Sequence, residues 1–275
     1  VTIVARRRIY RSLFVAASAC FVAFFPMFVR LSRGDKAPAF LERAGAIETF
    51  RIGALGLYSP VLAATGIGLC ALFAALCLGY ILYLFRKTVS TEIFFYSFWA
   101  LSVGLEVSRL LVFNIAAEGG SAYWQIIATK VLLCSRYTGY LSLFASGLYA
   151  AGFRNEKLGT VTAVIFAVSL GLAMAMPINT GSFATTLELK AGYGELNWGL
   201  ALVAGVVTFA NFLYAARMTG EASYRLVALG EAAFFSGQLI LTTQWNPFAI
   251  VLGFALLVAG SWLFVSRLHG YYLWQ

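Results

Sequence analysis

Five ionisable side chains stand inside long apolar runs: Glu106 and Arg109 in one, Lys130 and Arg136 in the next, and Glu231 in a later one. A charge near the middle of a membrane span costs about 3 kcal/mol or more unless it is paired or hydrated. Residues kept there are therefore the first candidates for a binding seat, an ion relay or a structural pair. A guanidinium offers a planar fork of donors and keeps its proton, whereas a carboxylate can accept that fork or carry a proton. The five charges sum to +1, so one cation is left without a counter-ion among them. Asn211 and Gln238 add polar groups to neighbouring runs. Such side chains hydrogen-bond between helices or line a polar ligand site, and the first use is the commoner.

Little else in the chain carries chemistry. Its single histidine, His269, lies beyond the last apolar run, so paired-histidine haem ligation between helices is excluded. There is no HExxH, no Ser/His pair, no phosphate-binding loop, and no lysine in the last two runs to form a Schiff base. Cys20, Cys70, Cys77 and Cys134 all fall within apolar runs and form no CxxC pair, which makes them packing residues. No cofactor and no metal are expected.

The elements that must position these charges are membrane spans. Hydrophobic residues make up 61% of the 275, charged residues 11%, and mean hydropathy is +0.84. A spanning helix needs about 20 apolar residues. Runs of or near that length occupy 12–29, 57–85, 93–114, 123–153, 160–176, 196–216, 226–243 and 248–265. The expected fold is an all-α integral membrane protein, a single polytopic domain over 1–275 built as a bundle of about eight transmembrane helices. The run after Arg6 to Arg11 continues past Cys20 to Val29 and reads as an uncleaved anchor span rather than a signal peptide.

Basic residues at span ends orient the bundle. With the N-terminus inside, eleven lie on inner segments, from Arg6 to Arg267, against six on outer ones, five of these in the first outer loop. Both termini are thus expected in the cytoplasm of a bacterial-type inner membrane. The net charge of +9 is scattered over span ends rather than gathered with aromatics, so no nucleic-acid partner is expected. Membrane lipid is the expected partner, with another membrane protein as a further one.

Counting at 1.5 Å per helical residue places Glu106 and Lys130 each at roughly 20 Å from the inner boundary, Arg109 at roughly 24 Å, Arg136 at roughly 11 Å and Glu231 at roughly 8 Å. On those depths Glu106 pairs with Lys130 and Arg136 with Glu231. Arg109, one helical turn from Glu106, remains as an anion seat or as a side chain snorkelling to the outer interface.

The loops add three expectations. Phe40, Leu41, Ala44, Ile47 and Phe50 suggest a short interfacial helix in the first outer loop. Pro177 to Glu195 alternates enough for a small hairpin, and the four residues Gln244 to Pro247 force the last two spans into a tight antiparallel pair. In the second span Gly68, Ala71, Ala75 and Gly79 mark a close helix contact. No internal repeat is evident. The order of one anchoring span and seven more broadly resembles the seven-helix sensory regions of bacterial signalling proteins, but no motif carries that further and no family is assigned.

Three functions remain. The preferred one is a membrane binding or interaction protein, sensor-like or a subunit of a complex, whose polar cluster recognises an anionic lipid or small ligand. The alternative is a secondary transporter using the buried Glu, Arg and Lys as an ion or proton relay. A lipid-modifying enzyme with Glu106 as base is third, and an enzyme is the less expected class.

Overall fold

A computed structural model of the protein describes residues 3–33, 60–85, 90–153, 158–184, 186–243 and 246–273. Nine α-helices are found among them: α1 (Ile3–Arg33), α2 (Pro60–Leu84), α3 (Thr91–Gly104), α4 (Ser108–Ala117), α5 (Ala122–Ala150), α6 (Leu158–Ala175), α7 (Gly194–Thr219), α8 (Ala222–Thr243) and α9 (Pro247–Leu273). A 3₁₀ turn, Leu105–Val107, joins α3 to α4, so the two make one span. By length and composition seven spans can cross a membrane, and α5, with 29 residues, is an eighth long helix that carries Lys130 and Arg136. This is the polytopic helix bundle expected from the apolar runs. The interfacial helix expected in the first outer loop lies outside the described residues.

The distribution of side chains is inverted relative to a protein in water. Val15, Val22, Leu76, Phe166, Leu170, Val203 and Val251 are exposed, while Glu92, Glu106, Arg109, Glu231 and Gln238 are buried. A bilayer favours this arrangement because hydrocarbon solvates the apolar faces and cannot solvate the polar ones.

Helix contacts follow small residues. The Gly68 to Gly79 stripe on α2 is the seat of α1: a Cβ on Gly68 would overlap the Phe24 ring, and one on Gly79 would meet Phe14 at 3.2 Å. The last two helices pack more closely still. A Cβ at Gly237 of α8 would lie 2.6 Å from the carbonyl oxygen of Gly253 on α9, and one at Gly230 would lie 2.8 Å from that of Gly260. Two glycines seven residues apart on each helix thus bring the backbones together twice, as the short link between them requires. Asn246 caps α9, its Oδ1 accepting from Ala249 N at 2.7 Å, and Pro247 occupies the first helical position, where no donor is missed.

Two strands complete the fold. β1 (Ile178–Phe183) and β2 (Leu189–Ala191) pair antiparallel, with Ile178 opposite Ala191 and Asn179 opposite Lys190. The tip of this hairpin turns into the bundle rather than out of it. Phe183, Leu187 and Leu189 are buried with Phe24, Ile67, Val107, Leu110 and Phe113. Leu187 adopts the left-handed region at φ 62, which costs about 1 kcal/mol or more for a residue with a Cβ. Its complete burial offsets that strain, and the resulting turn aims the next side chain, Glu188, at α4 and α5.

Candidate functional site: a buried two-arginine, two-glutamate cluster

Glu106 sits in the 3₁₀ turn between α3 and α4, where side chains three residues apart eclipse one another. Arg109 is therefore drawn directly alongside it, with Nε 2.6 Å from Glu106 Oε2. Arg136, from α5, approaches the same carboxylate from the other side: Nε donates to Glu106 Oε1 at 2.8 Å and Nη2 to Oε2 at 3.0 Å, a bidentate fork. The fourth member comes from the hairpin. Glu188 Oε2 accepts from Arg136 Nη2 at 2.6 Å and lies 3.5 Å from Arg109 Nε. Thr186 Oγ1 donates to its other oxygen at 3.0 Å. Two guanidinium groups and two carboxylates cancel in formal charge.

Burial is uneven across the four. The side chains of Glu106 and Arg109 are 2% and 3% exposed, against 16% for Arg136 and 24% for Glu188. Arg109 spends further donors on the carbonyl oxygens of Thr242, at 3.1 Å, and Thr186, at 3.4 Å, which ties α4 to α8 and to the hairpin. Burial alone would raise the Glu188 carboxyl, but Arg109 and Arg136 outweigh it and hold it at about 2, below the ordinary 4.5.

Arg136 and Glu188 face two adjoining cavities of about 370 and 340 Å³, which also share Asn197 and Trp198. The larger is walled by Leu133, Tyr137, Tyr140, Ala201 and Leu239, with Thr242 and Thr243 as polar neighbours. Tyr137 donates its hydroxyl to Asn197 Oδ1, which holds α5 against α7 at this level. A space mostly apolar in its walls, with a few convergent polar groups and an accessible cation, has the general character of a small-molecule site.

The pairings expected from depth alone are corrected here. Glu106 meets Arg136 and Arg109, not Lys130. Arg136 meets Glu106 and Glu188, not Glu231. The error lies in the datum, because α5 was counted down from its Ala122 end. Counted from the opposite ends, Glu106 is fifteen residues past Thr91 and Arg136 fourteen before Ala150, roughly 22 and 21 Å. Lys130 is twenty before Ala150, roughly 30 Å, at the edge of the bundle. Its ammonium donates to Met174 O at 2.7 Å and Ala173 O at 3.4 Å, satisfying carbonyls in the last turn of α6. Arg109 is neither a lone seat nor a snorkelling side chain; it is the most enclosed cation of the cluster.

Glu231 lies nine residues into α8, roughly 14 Å up and well short of Arg136. It is 1% exposed and its Oε1 has no hydrogen-bond partner among the described residues. Gln238 accepts from Trp99 Nε1 at 2.9 Å, joining α3 to α8. Asn211 packs its Cβ beside Gly147, and its Nδ2 lacks a hydrogen-bond partner among the described residues. None of these three enters the charge cluster.

Two carboxylates that matter were not singled out in the sequence. Glu188 reads there as a loop residue, its only signal being the partial alternation of apolar and polar residues from Thr185 to Lys190. Glu92 sits at the first turn of α3 near the far end of the bundle, 3% exposed. Tyr272 places its hydroxyl 2.8 Å from both carboxylate oxygens, while Ser90 donates at 2.9 Å and Tyr224 at 3.4 Å. This clasp draws the ends of α3, α8 and α9 together.

No protein-family model and no curated protein matches the chain. The geometry therefore carries the functional reading.

Proposed function

We propose that this chain is an integral membrane binding protein whose pocket, beneath the hairpin and beside Arg136, receives a small anionic ligand. The observation that supports this most is the division of labour within the cluster. Arg109 and Arg136 both line a cavity of about 370 Å³ that Tyr140 and Trp198 also wall, but Arg109 is enclosed at 3% exposure whereas Arg136, at 16%, is the more open of the two. A purely structural ion pair gains nothing from an adjoining cavity, while a recognition site requires one. The natural setting is a bacterial-type inner membrane with both termini cytoplasmic, and the exposed apolar faces of α1, α6 and α7 contact lipid or another membrane protein.

Native mass spectrometry of the gently extracted protein tests this reading. Wild type is expected to retain or take up small anions that Arg136→Gln does not, with Arg136→Lys intermediate because it keeps charge but loses the fork. Equal anion uptake by wild type and both variants would remove the reading. Labelling a C-terminal tag in intact cells tests the orientation, since access from outside contradicts it.

A secondary transporter is the second reading, and buried Glu231 is the observation in its favour. Its carboxyl Oε1 has no hydrogen-bond partner among the described residues, as a group that binds and releases a proton in transit requires. Against it, Lys130 and Glu231 stand apart from the cluster, so a continuous relay lacks its intermediate steps. An enzyme using Glu106 as base has less support, because two guanidinium groups already occupy that carboxylate.

A further inference from the structure

The three charges of the cluster that belong to helices, Glu106, Arg109 and Arg136, sum to +1, and only the hairpin brings the total to zero. Glu188 supplies that last charge from outside the helical frame. Its carboxylate lies 2.6 Å from Arg136 Nη2, and its side chain is the most exposed of the four at 24%. It also lines both cavities. The backbone that carries it is fixed, since Leu187 and Leu189 on either side are 0% and 2% exposed. The side chain is held only by its contacts with Arg136, Arg109 and Thr186, and cavity adjoins it on two sides.

We propose that the carboxylate of Glu188 is a tethered occupant of a seat for a ligand carboxylate, and that the ligand class is a monocarboxylate with an aromatic or branched apolar body. This deepens the binding function proposed above and rests on it. The seat complements one negative charge, because a dianion such as a phosphate monoester would leave the cluster at −1 in surroundings of low dielectric. A ligand carboxylate in the place of Glu188 would accept from Arg136 Nη2, the donor that Glu188 now holds, while Glu106 keeps the Nε/Nη2 fork. The body is set by the cavity, where Leu133, Tyr137, Tyr140 and Leu239 supply apolar and aromatic walls. Binding proceeds by exchange: the ligand carboxylate takes the Arg136 Nη2 contact that Glu188 now makes, with its body in the larger cavity, and Glu188 rotates into the smaller one.

A tethered competitor lowers the apparent affinity by the fraction of time it leaves the seat free. Removing it should therefore tighten binding, the opposite of what losing an ordinary binding residue does. Benzoate is the probe, with acetate testing the role of the body and inorganic phosphate testing the charge. Glu188→Gln is expected to bind benzoate at least about tenfold more tightly than wild type, acetate more weakly than benzoate, and phosphate more weakly still. Its thermal stability, lowered by the unpaired guanidinium, should recover on adding benzoate by more than wild type gains.

Thr186→Val guards against a Glu188 variant that does not fold. It keeps all four charges and removes only the hydroxyl 3.0 Å from Glu188, so it should tighten benzoate binding by a few fold. Benzoate affinity unchanged or weakened in the folded variants, with wild-type binding still lost in Arg136→Gln, overturns the tethered occupant and leaves the binding site standing. Phosphate binding more tightly than benzoate overturns the ligand class. No binding of any of the three anions by wild type, Glu188→Gln or Thr186→Val overturns both this inference and the function beneath it.

Discussion

Two buried glutamates face the same problem, Glu106 deep in the bundle and Glu92 at one end of it, and solve it differently. Glu92 is surrounded by hydroxyls of Ser90, Tyr224 and Tyr272, and no basic group lies within ion-pair distance among the described residues. Glu106 is held by two guanidinium groups. Hydroxyls are neutral donors that turn to fit, so the Glu92 clasp is complete as it stands. Guanidinium groups bring charge of their own, so the Glu106 site needs a second carboxylate and takes it from a loop. A clasp made of neutral donors closes on itself, whereas one made of cations leaves a valence that something must fill.

Truncation to an apolar residue should separate the two most strongly. Glu106→Leu leaves two buried cations with only Glu188 between them, and a loss of about 3 to 5 kcal/mol is expected in denaturant unfolding from detergent. Glu92→Leu strands hydroxyls that can re-pair with backbone or water, so about 1 to 3 kcal/mol is expected. Equal losses, or the reverse order, would break the comparison. On a smaller scale, Tyr272→Phe removes the donor nearest Glu92, leaves Ser90 and Tyr224 in place, and should cost about 0.5 to 1.5 kcal/mol without changing anion binding. An altered benzoate affinity in that variant would mean that the two ends are coupled.

A pH titration sharpens the contrast further. Glu188 is held at about 2 in the folded protein against an ordinary 4.5. A group whose folded value is depressed contributes stability that is fully present above the unfolded value and is lost as pH falls. The contribution of Glu188 should therefore be complete above about pH 4.5 and decline between 4.5 and about 2. In Glu188→Gln that part of the acid limb should flatten; an unchanged profile would mean that the ion pairs to Arg109 and Arg136 do not stabilise the fold.

Much of the architecture was legible because it rests on local patterns. Apolar run lengths gave the spans, the Gly68 to Gly79 stripe gave a close helix contact though not its partner α1, and the short Gln244 to Pro247 link gave the close packing of α8 on α9. The site was legible only in its composition. Glu106, Arg109 and Arg136 were recognisable as buried charges, but which of them meet depends on helix rotation and on where each helix projects, and neither is written in residue spacing. Arg136 was set at the wrong depth because the 29-residue α5 was counted from its Ala122 end, whereas counting from Ala150 brings Arg136 level with Glu106. Glu188 was missed because a loop residue normally faces water, and only the inward turn at Leu187 brings it to the arginines. The hairpin itself was foreseen, but its direction was not.

The account turns on whether Arg136 presents free binding capacity to the cavity, and calorimetric titration of benzoate into the purified protein measures that directly. Wild type should give a saturable heat with one site per chain, reduced in Arg136→Lys and absent in Arg136→Gln, while Tyr272→Phe matches wild type. The same isotherm in Arg136→Gln as in wild type, with both proteins folded, would contradict the account, because benzoate would then be binding somewhere other than the two-arginine cluster.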